Sequence, residues 1–546
     1  MLRKNKGITL IALIITIIVM MILVAVSVTV ALNGGLFDTA KKASSETQLK
    51  ADEEILLSAV VGAIGTDAKV DFYKLDKNLP DGFIGENGTY TSSSGNIFIV
   101  DNNGNIYNSD IKIVGNTNPP NIDGFNKNST FYVRWSKNAE DSSVYDINES
   151  VLISAEAPTD WYDYTAGENK WANIKTTGGG NDCYWVWIPR YAYKVPEKSD
   201  TAQTIEIKFL KGTTNIPIGE TEIITNTIPT PGSWVVHPAF TNEGNNGFGE
   251  LTGIWVAKFE ASSSSNVVVE NPTVEQLATD GGTQTDTELK IRVKPNVTSW
   301  RGITVNNAFI VCQNLVKDGN SLAGAKNIDP HLMKNTEWGA CAYLSRSIYG
   351  KNDVIWNNPY YNNTTNYSPI TGLAGTSKNS SQTVLNYEEG TNKLYKYNTT
   401  GGTNASTTGN VYGIYDMAGG AWEFVAGYEK YSIENSSTIK DNMLSLYNAA
   451  PKYKDIYEGG EETYQKNYEK NSSKYGDAIF ETSLLGTGST SWDNGLSEFK
   501  FDLTYGGLRR GGHANGYMNG IFGFAVGPTV VNSGGTFRPT LVCPGK

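Results

Sequence analysis

The chain has 546 residues, of which 57 are Gly, 30 Tyr and 12 Trp, while only 18% are charged. This composition predicts several folded units rich in strands and loops, and it excludes disordered, collagen-like and helical-bundle chains. The formal net charge is -11 and no basic run follows residue 6, so we expect no nucleic-acid partner. Four Cys without CxxC spacing exclude a disulfide-stapled scaffold and a zinc ribbon.

The first 32 residues predict a membrane segment. Residues 8–32 are uncharged and apolar, long enough to cross a bilayer as a helix of about 25 residues. Arg3, Lys4 and Lys6 precede this run, so the positive-inside rule predicts a cytoplasmic start. We therefore expect a single-pass protein of the cell membrane whose large C-terminal part is extracellular.

The sequence KNKG followed by ITLIALIITIIV resembles the leader and helix of type IV prepilins and pseudopilins. The resemblance implies a leader at 1–7, cleavage after Gly7 by prepilin peptidase, methylation of Ile8, and other pilin or pseudopilin subunits as partners. Most pilins have Glu at the fifth mature position, where this chain has Ala12. In that family the Glu is thought to neutralise the terminal amine of a neighbouring subunit. A buried unpaired charge is costly, so Ala12 disfavours insertion beneath an existing subunit and favours a position at the pilus tip. A plain uncleaved signal anchor is the alternative.

Two further segments precede the largest part of the chain. Residues 33–115 predict a pilin-like helix and a small sheet, because Asn87-Gly88 and Asn103-Gly104 are typical hairpin turns between β-forming residues. Residues 116–180 predict a linker, which begins at Asn-Thr-Asn-Pro-Pro, and a Trp/Tyr-rich β module.

Residues 181–546 resemble the formylglycine-generating (sulfatase-modifying factor) family. The blocks that carry the resemblance, in order, are YWVWIPRYAYKV, GIWVAKFEAS, VTSWRGITVNNAFIVCQNL, MKNTEWGACAYLSRS, GNVYGIYDMAGGAWEFVAG, LRRGGHANG and GTFRPTLV. The family implies a C-type-lectin-like fold, on which 351–408 and 429–500 would be surface insertions. The fold class expected for the whole chain is α+β, with a long N-terminal transmembrane/pilin helix and a small sheet followed by a β-rich, loop-rich lectin-like domain.

The catalytic chemistry of that family requires residues that this chain lacks. Active members bind copper through a cysteine pair shortly after the RGG block, since soft thiolates select Cu(I). Residues 513–521 contain no Cys, and the three His, at 237, 331 and 513, have no metal-ligand spacing. We therefore expect a protein that is not an enzyme. An exported oxidoreductase with an unusual metal site is the alternative.

The resemblance implies one further site, and the chemistry of arginine predicts another, each with an alternative. Family members bind calcium near the block that contains Asp416 and Glu423, but Gly420 replaces the usual Asn, so a turn-stabilising carboxylate is an equal interpretation. No other cofactor is expected. Arg538 is expected to form a buried fork of hydrogen bonds to loop carbonyls or to a carboxylate.

The cysteines divide into two pairs. Cys312 and Cys341 lie among apolar neighbours and are expected to be buried thiols. Cys183 and Cys543 flank the first and last strands of the lectin-like domain, which run side by side in that fold, so the resemblance implies that a disulfide could close the domain outside the cell. Two unpaired thiols are the alternative.

In related lectin-like proteins the segment between the RGG and FR blocks forms the ligand-binding face. The implied contact residues are His513, Asn515, Tyr517, Met518, Asn519, Val530 and Asn532. An ordinary solvated loop is the alternative. The predicted function is a pilin-like minor subunit that displays a lectin-like domain as an adhesin or receptor for an extracellular glycan or protein. A membrane-anchored structural protein of the envelope is a further alternative.

Overall fold

The computed structural model describes residues 36–546 with internal gaps. The gaps are 66–68, 87, 95, 101–103, 105, 109–116, 153–156, 159, 226–228, 265–288, 360–368, 376–393, 501–502, 514–519, 530–534 and 544–546. The chain forms two compact units, Met1–Asp110 and Ile111–Lys546.

The helices are short apart from the first. They are α1 (Leu36–Ala63), α2 (Phe72–Lys77), α3 (Val305–Gln313), α4 (Asn335–Ser345), α5 (Lys430–Asn435), α6 (Ser437–Asp441), α7 (Leu444–Asn448) and α8 (Tyr464–Lys470). The strands of the first unit are β1 (Phe83–Glu86), β2 (Thr89–Ser92), β3 (Ile97–Val100) and β4 (Ile106–Asn108). Those of the second unit are β5 (Thr130–Lys137), β6 (Tyr145–Val151), β7 (Asn173–Gly178), β8 (Asn181–Pro189), β9 (Tyr191–Lys194), β10 (Ile207–Phe209), β11 (Trp234–Val236), β12 (Gly253–Ala257), β13 (Ser262–Ser263), β14 (Ile291–Arg292), β15 (Asp329–Leu332), β16 (Leu373–Ala374), β17 (Tyr395–Lys396), β18 (Trp422–Glu429), β19 (Asp455–Tyr457), β20 (Ser497–Glu498), β21 (Tyr505–Arg510), β22 (Phe524–Pro528), β23 (Gly535–Phe537) and β24 (Pro539–Val542).

The first unit packs α1 against an antiparallel sheet in the order β1-β2-β3-β4. Leu56, Val60 and Ala63 are buried at helical spacing and form a core with Tyr90 and Phe98 of the sheet. Each of the two Asn-Gly sequences marks a connection between paired strands, with φ of 82° at Gly88 and 84° at Gly104. These positive φ values suit glycine, which explains the two hairpins.

A buried carboxylate fastens α1 to the turn between β2 and β3. Asp52 accepts hydrogen bonds from the side chains of Gln48 (2.9 Å), Ser92 (2.7 Å) and Asn96 (2.8 Å), and also from the hydroxyl of Ser94. Burial disfavours the charged form, but these donors outweigh it and lower the pKa of Asp52 to about 2. The ionised carboxylate therefore stabilises the junction of helix and sheet.

The second unit is built on a seven-stranded antiparallel sheet in the order β15-β24-β12-β8-β7-β5-β6. Its central strands β8 and β12 bury Trp185, Trp187 and Trp255. Strands that are buried on both faces have nearly continuous apolar sequences. For this reason YWVWIP and GIWVA show no alternation of apolar and polar residues. The last strand, β24, lies between the edge strand β15 and β12, and it pairs with both.

A second sheet has six strands, β18–β23. Its order is β19-β18-β21-β22-β20, and β23 pairs with the start of β18. Every residue of β18 is buried. Smaller sheets, β10-β9-β11, β13-β14 and β16-β17, complete the unit.

Residues 429–500 are not the surface insertion that the sequence predicts. This segment supplies α5–α8 and buries Tyr468 and Trp492 in the main core. Its Glu481 is also buried, and it accepts hydrogen bonds of 2.6 Å from the hydroxyls of both Tyr193 and Tyr343. Burial raises the pKa of Glu481 to about 7. These core residues are widely spaced in an otherwise polar segment, so no local sequence pattern indicates that they are buried.

The expected α+β fold class is wrong: the described part of the chain is mainly strand and loop. The physical reason is that the buried aromatic and β-branched residues of the second unit lie mainly in short strands and in the loops between them, which leaves few segments for helices of more than two turns. Within the ranges that the structure describes, no helix is long and apolar enough to cross a membrane. The leader at 1–7, the apolar run at 8–32 and the processing site Gly7-Ile8 lie outside the described residues.

Candidate functional site

Three sequence blocks that are far apart in the chain meet on the second sheet. The block YDMAGGAWEF leads into β18, LRRGG ends β21, and GTFRP spans β23 and the start of β24. Glu423 of β18 pairs with Arg510 of β21, and Trp422 pairs with Gly535 of β23. The strands at the two ends of the segment predicted to bind ligand, β21 and β23, therefore lie on either side of the start of β18.

A buried ion pair lies beneath this junction. Arg538 donates to both oxygens of Glu423, at 2.9 and 2.6 Å, and to the carbonyls of Ala257 (2.7 Å) and Tyr415 (2.9 Å). Burial disfavours the charge of Arg538, but the surrounding carboxylates outweigh burial and raise its pKa. The prediction of a buried fork is confirmed, and it binds both a carboxylate and carbonyls.

The carboxylates proposed for calcium are already occupied by protein donors. Asp416 accepts from the backbone N–H of Gly372 (2.9 Å to each oxygen) and from Nδ2 of Asn358 (3.0 Å), while Glu423 is paired with Arg538. Both side chains are buried, at 1% exposure. The calcium assignment is therefore not supported by the geometry, and the alternative of a carboxylate that stabilises local backbone describes Asp416.

A third buried carboxylate, Glu260, adjoins this pair. Its Oε1 accepts the backbone N–H of Ala421 (3.0 Å), and its Oε2 accepts the hydroxyl of Ser299. Gly420 has a φ of 70°, and a Cβ there would come within 2.5 Å of Oε1 of Glu260. Burial, followed by the charges of Asp416 and Glu423, raises the pKa of Glu260 well above its ordinary value. Three carboxylates share one guanidinium, so charge balance favours a protonated Glu260.

Among the described residues, no three His, Cys, Asp or Glu side chains are grouped so that they could hold a metal ion. His237 packs between Tyr191 and Phe240, and its complete burial lowers its pKa to about 3. His331 bonds through Nε2 to Glu337 at 2.9 Å. Both side chains are buried and have structural roles.

The disulfide between Cys183 and Cys543 is wrong: both are free, buried thiols. The strand register explains why. The pairing of β24 with β12 places Cys543 level with Gly253, which is opposite Pro189 at the far end of β8 from Cys183. Six residues of strand separate the two levels by about 20 Å, whereas a disulfide requires Cα atoms within about 7 Å. The first and last strands of the predicted domain, β8 and β24, lie on opposite sides of β12 and are not neighbours.

All four thiols of the chain are buried. Cys312 lies on α3 and Cys341 on α4, as the sequence predicts. Burial raises the pKa of each thiol, to about 12 for Cys183. A thiol of this kind is not a nucleophile or a metal ligand at neutral pH.

Of the predicted ligand-contact residues, the structure describes His513, which lies just after the C-terminal end of β21. His513 is half-buried, and its ring centroid lies 6.1 Å from that of Trp422. The guanidinium of Arg509 lies 4.4 Å from the centroid of Trp422. Residues 514–519 and 530–534 lie outside the described part, and with them the other six candidates, Asn515, Tyr517, Met518, Asn519, Val530 and Asn532.

Sequence reasoning missed two buried charges, Glu260 and Lys258, and one half-buried cation, Arg509. Glu260 follows the apolar run GIWVAKF, where an interrupting carboxylate is a signal that could have been noticed. Lys258 in the same run is fully buried, and its Nζ donates to Asn173 Oδ1 (3.0 Å) and to the carbonyls of Val411 (2.8 Å) and Gly413 (2.7 Å). No pattern in LRRGG distinguishes Arg509 from its buried neighbour.

The chain matches no protein-family model and no curated protein sequence.

Proposed function

We propose that this chain is a cell-surface, pilin-like minor subunit that displays a non-catalytic, lectin-like ligand-binding domain. Support for surface display comes from the three basic residues before the apolar sequence 8–32. In this proposal prepilin peptidase cuts after Gly7, other pilin subunits are the assembly partners, and Ala12 favours the tip.

One observation carries the non-catalytic part of the proposal. The enzymes that the second unit resembles need a thiol pair shortly after the RGG block, where residues 513–521 contain no Cys. The four thiols that do exist are all buried, and burial raises the pKa of each. Since the thiolate is the reactive and metal-binding form, the thiols are unsuited to catalysis.

Support for ligand binding comes from the rigid strands at the two ends of the segment that contains the candidate residues. The RGG end of the segment is fixed by Arg510, which donates to the carbonyls of Asp477 (2.7 Å), Ala478 (3.0 Å) and Gly523 (3.0 Å). The FR end is fixed by Arg538. Loops that start and end on such a rigid scaffold are where binding sites usually occur.

The first experiment is mass analysis of the N-terminus of protein isolated from its native cell surface. We expect a chain that begins at methylated Ile8, and a Gly7→Val variant that keeps Met1. Gly34→Val, a glycine beyond the apolar run, is the control and is expected to be processed normally. An intact Met1 in the unaltered protein would contradict the pilin pathway and leave an envelope anchor.

The second experiment tests binding. We expect the isolated protein to bind at least one glycan or surface protein in a broad screen, and cells that lack it to adhere less well. Metal analysis of the same preparation distinguishes the enzyme alternative, because stoichiometric copper or iron would favour an oxidoreductase. Absence of any ligand together with normal adhesion would exclude the adhesin.

A further inference from the structure

Arg509 lies flat across the second sheet near the predicted binding face. It pairs with Phe424 on one side and Ala525 on the other. Its guanidinium stacks on Trp422, and its stem crosses Gly527, where a Cβ would come within 2.8 Å of Cδ and 3.0 Å of Nε of Arg509. The glycine leaves room for the stem of Arg509, and the indole contacts its guanidinium.

The polar groups of this side chain have no acceptor among the described residues. Arg509 makes no hydrogen bond or ion pair there, and its Nε is buried without a partner. The acidic group that acts on it, Glu498, lies two strands away and does not form an ion pair with it. By contrast, Arg510 and Arg538 each make several hydrogen bonds.

An unsatisfied, half-buried guanidinium is an unfavourable arrangement unless something else supplies the acceptors. A buried donor without a partner has lost its hydrogen bonds to water and gained none in return. Stacking on an aromatic ring satisfies the charge in part, but it leaves the N–H edge of the guanidinium without hydrogen bonds. A planar fork of N–H donors matches the geometry of a carboxylate or a sulfate group.

We propose that Arg509 binds an oxyanion group, a carboxylate or a sulfate, on the ligand of this domain, with Trp422 holding the guanidinium in place and His513 at the rim. This inference rests on the proposed ligand-binding function and names the chemistry of its ligand. Burial and the charge of Arg509 lower the pKa of His513, so at neutral pH Arg509 supplies the positive charge of the site. Acidic saccharides carry such groups.

The test is a ligand-detected NMR titration of the full chain in neutral detergent with glucuronate, glucose 6-sulfate and glucose. We expect binding of at least one acidic sugar and none of glucose, with an affinity that falls as salt is raised. Arg509→Gln should weaken acidic-sugar binding at least tenfold, and Arg509→Lys should recover only part of it, because an ammonium lacks the fork. Preference between the two acidic sugars identifies the group.

Two controls keep the result interpretable. Arg134→Gln removes a surface arginine that pairs with Asp160 instead and should bind as the unaltered protein does. Gly527→Ala leaves Arg509 in the sequence but displaces it, so this variant should also lose binding. Undiminished binding by Arg509→Gln, or equal binding of glucose, would overturn the inference while leaving ligand binding intact. Failure of every sugar probe also overturns it, and the proposed function fails only if the broad screen finds no ligand as well.

Discussion

Replacement of Arg538 should be far more damaging than replacement of its partner Glu423. The guanidinium makes four hydrogen bonds, two to Glu423 and two to the carbonyls of Ala257 and Tyr415. Breaking a buried ion pair from one side costs about 3–5 kcal/mol, and each carbonyl left unpaired costs about 1–3 kcal/mol. The sum for Arg538→Met approaches a typical domain's whole stability of about 5–15 kcal/mol, so we expect little folded protein at neutral pH.

Milder variants test the reasoning quantitatively. Arg538→Lys keeps the charge but cannot reach all four acceptors, so we expect a loss of about 2–4 kcal/mol. Glu423→Gln should lose only about 1–2 kcal/mol, because its amide oxygen still accepts from the guanidinium and the carboxylate of Asp416 still faces the charge.

Urea unfolding followed by tryptophan fluorescence measures these losses in the second unit alone, since all 12 Trp lie between Trp135 and Trp492. The deficit of Arg538→Lys should also shrink in acid, as the carboxylates become protonated. A loss for Glu423→Gln equal to or greater than that for Arg538→Lys, or a deficit independent of pH, would refute the idea that one guanidinium balances three carboxylates.

Three other predictions concern protonation and thiol state. The pKa of Glu260 is raised, so its stabilising contribution is present below about pH 4.5 and is lost, at about 1.4 kcal/mol per pH unit, as the pH rises toward its folded value. Glu260→Gln mimics the protonated acid. Its stability in urea should therefore equal that of the unaltered protein near pH 4.5 and exceed it at pH 8. The lowered pKa of Asp52 works in the opposite direction: its contribution is present above the unfolded value of 3.8 and is lost as the pH falls toward about 2, so the protection of amides in residues 49–63 against hydrogen exchange should fall in that window, and Asp52→Asn should show low protection throughout. For the thiols, iodoacetamide without reductant should label all four Cys in urea and none in the native protein; a mass 2 Da lower than the reduced chain would contradict the free state of Cys183 and Cys543.

Predictions from local sequence patterns are correct where the structural feature depends on one residue or on its near neighbours. The Asn-Gly turns predicted the hairpins of the first unit because a positive φ at Gly88 and Gly104 is a property of one residue. Arg538 was predicted as a buried fork because an arginine beside apolar strands has few other ways to be satisfied. Its carboxylate partner comes from a segment 115 residues away and could not be chosen from the sequence.

The errors concern long-range register. The proposed disulfide assumed that the first and last strands are neighbours, whereas β12 lies between them and offsets Cys183 from Cys543 along the strands. Residues 429–500 were interpreted as a surface insertion because their apolar residues are scattered, yet Tyr468 and Trp492 meet the core through contacts distant in sequence. The spacing of apolar side chains indicates which residues are buried, but it does not identify the distant segments that pack against them.

By itself, the sequence determined the composition-level class of the protein, its turns, its apolar runs and the lack of a thiol after the RGG block, since these are properties of residues and of their near neighbours. The tertiary structure alone decided which charges are paired. It placed Glu260, Asp416 and Glu423 around one guanidinium, occupied the carboxylates proposed for calcium, and left Arg509 beside Trp422 without an acceptor among the described residues. The physical reason is that strand pairing between distant segments brings these groups together, and the energy of a charge depends on its surroundings more than on its identity.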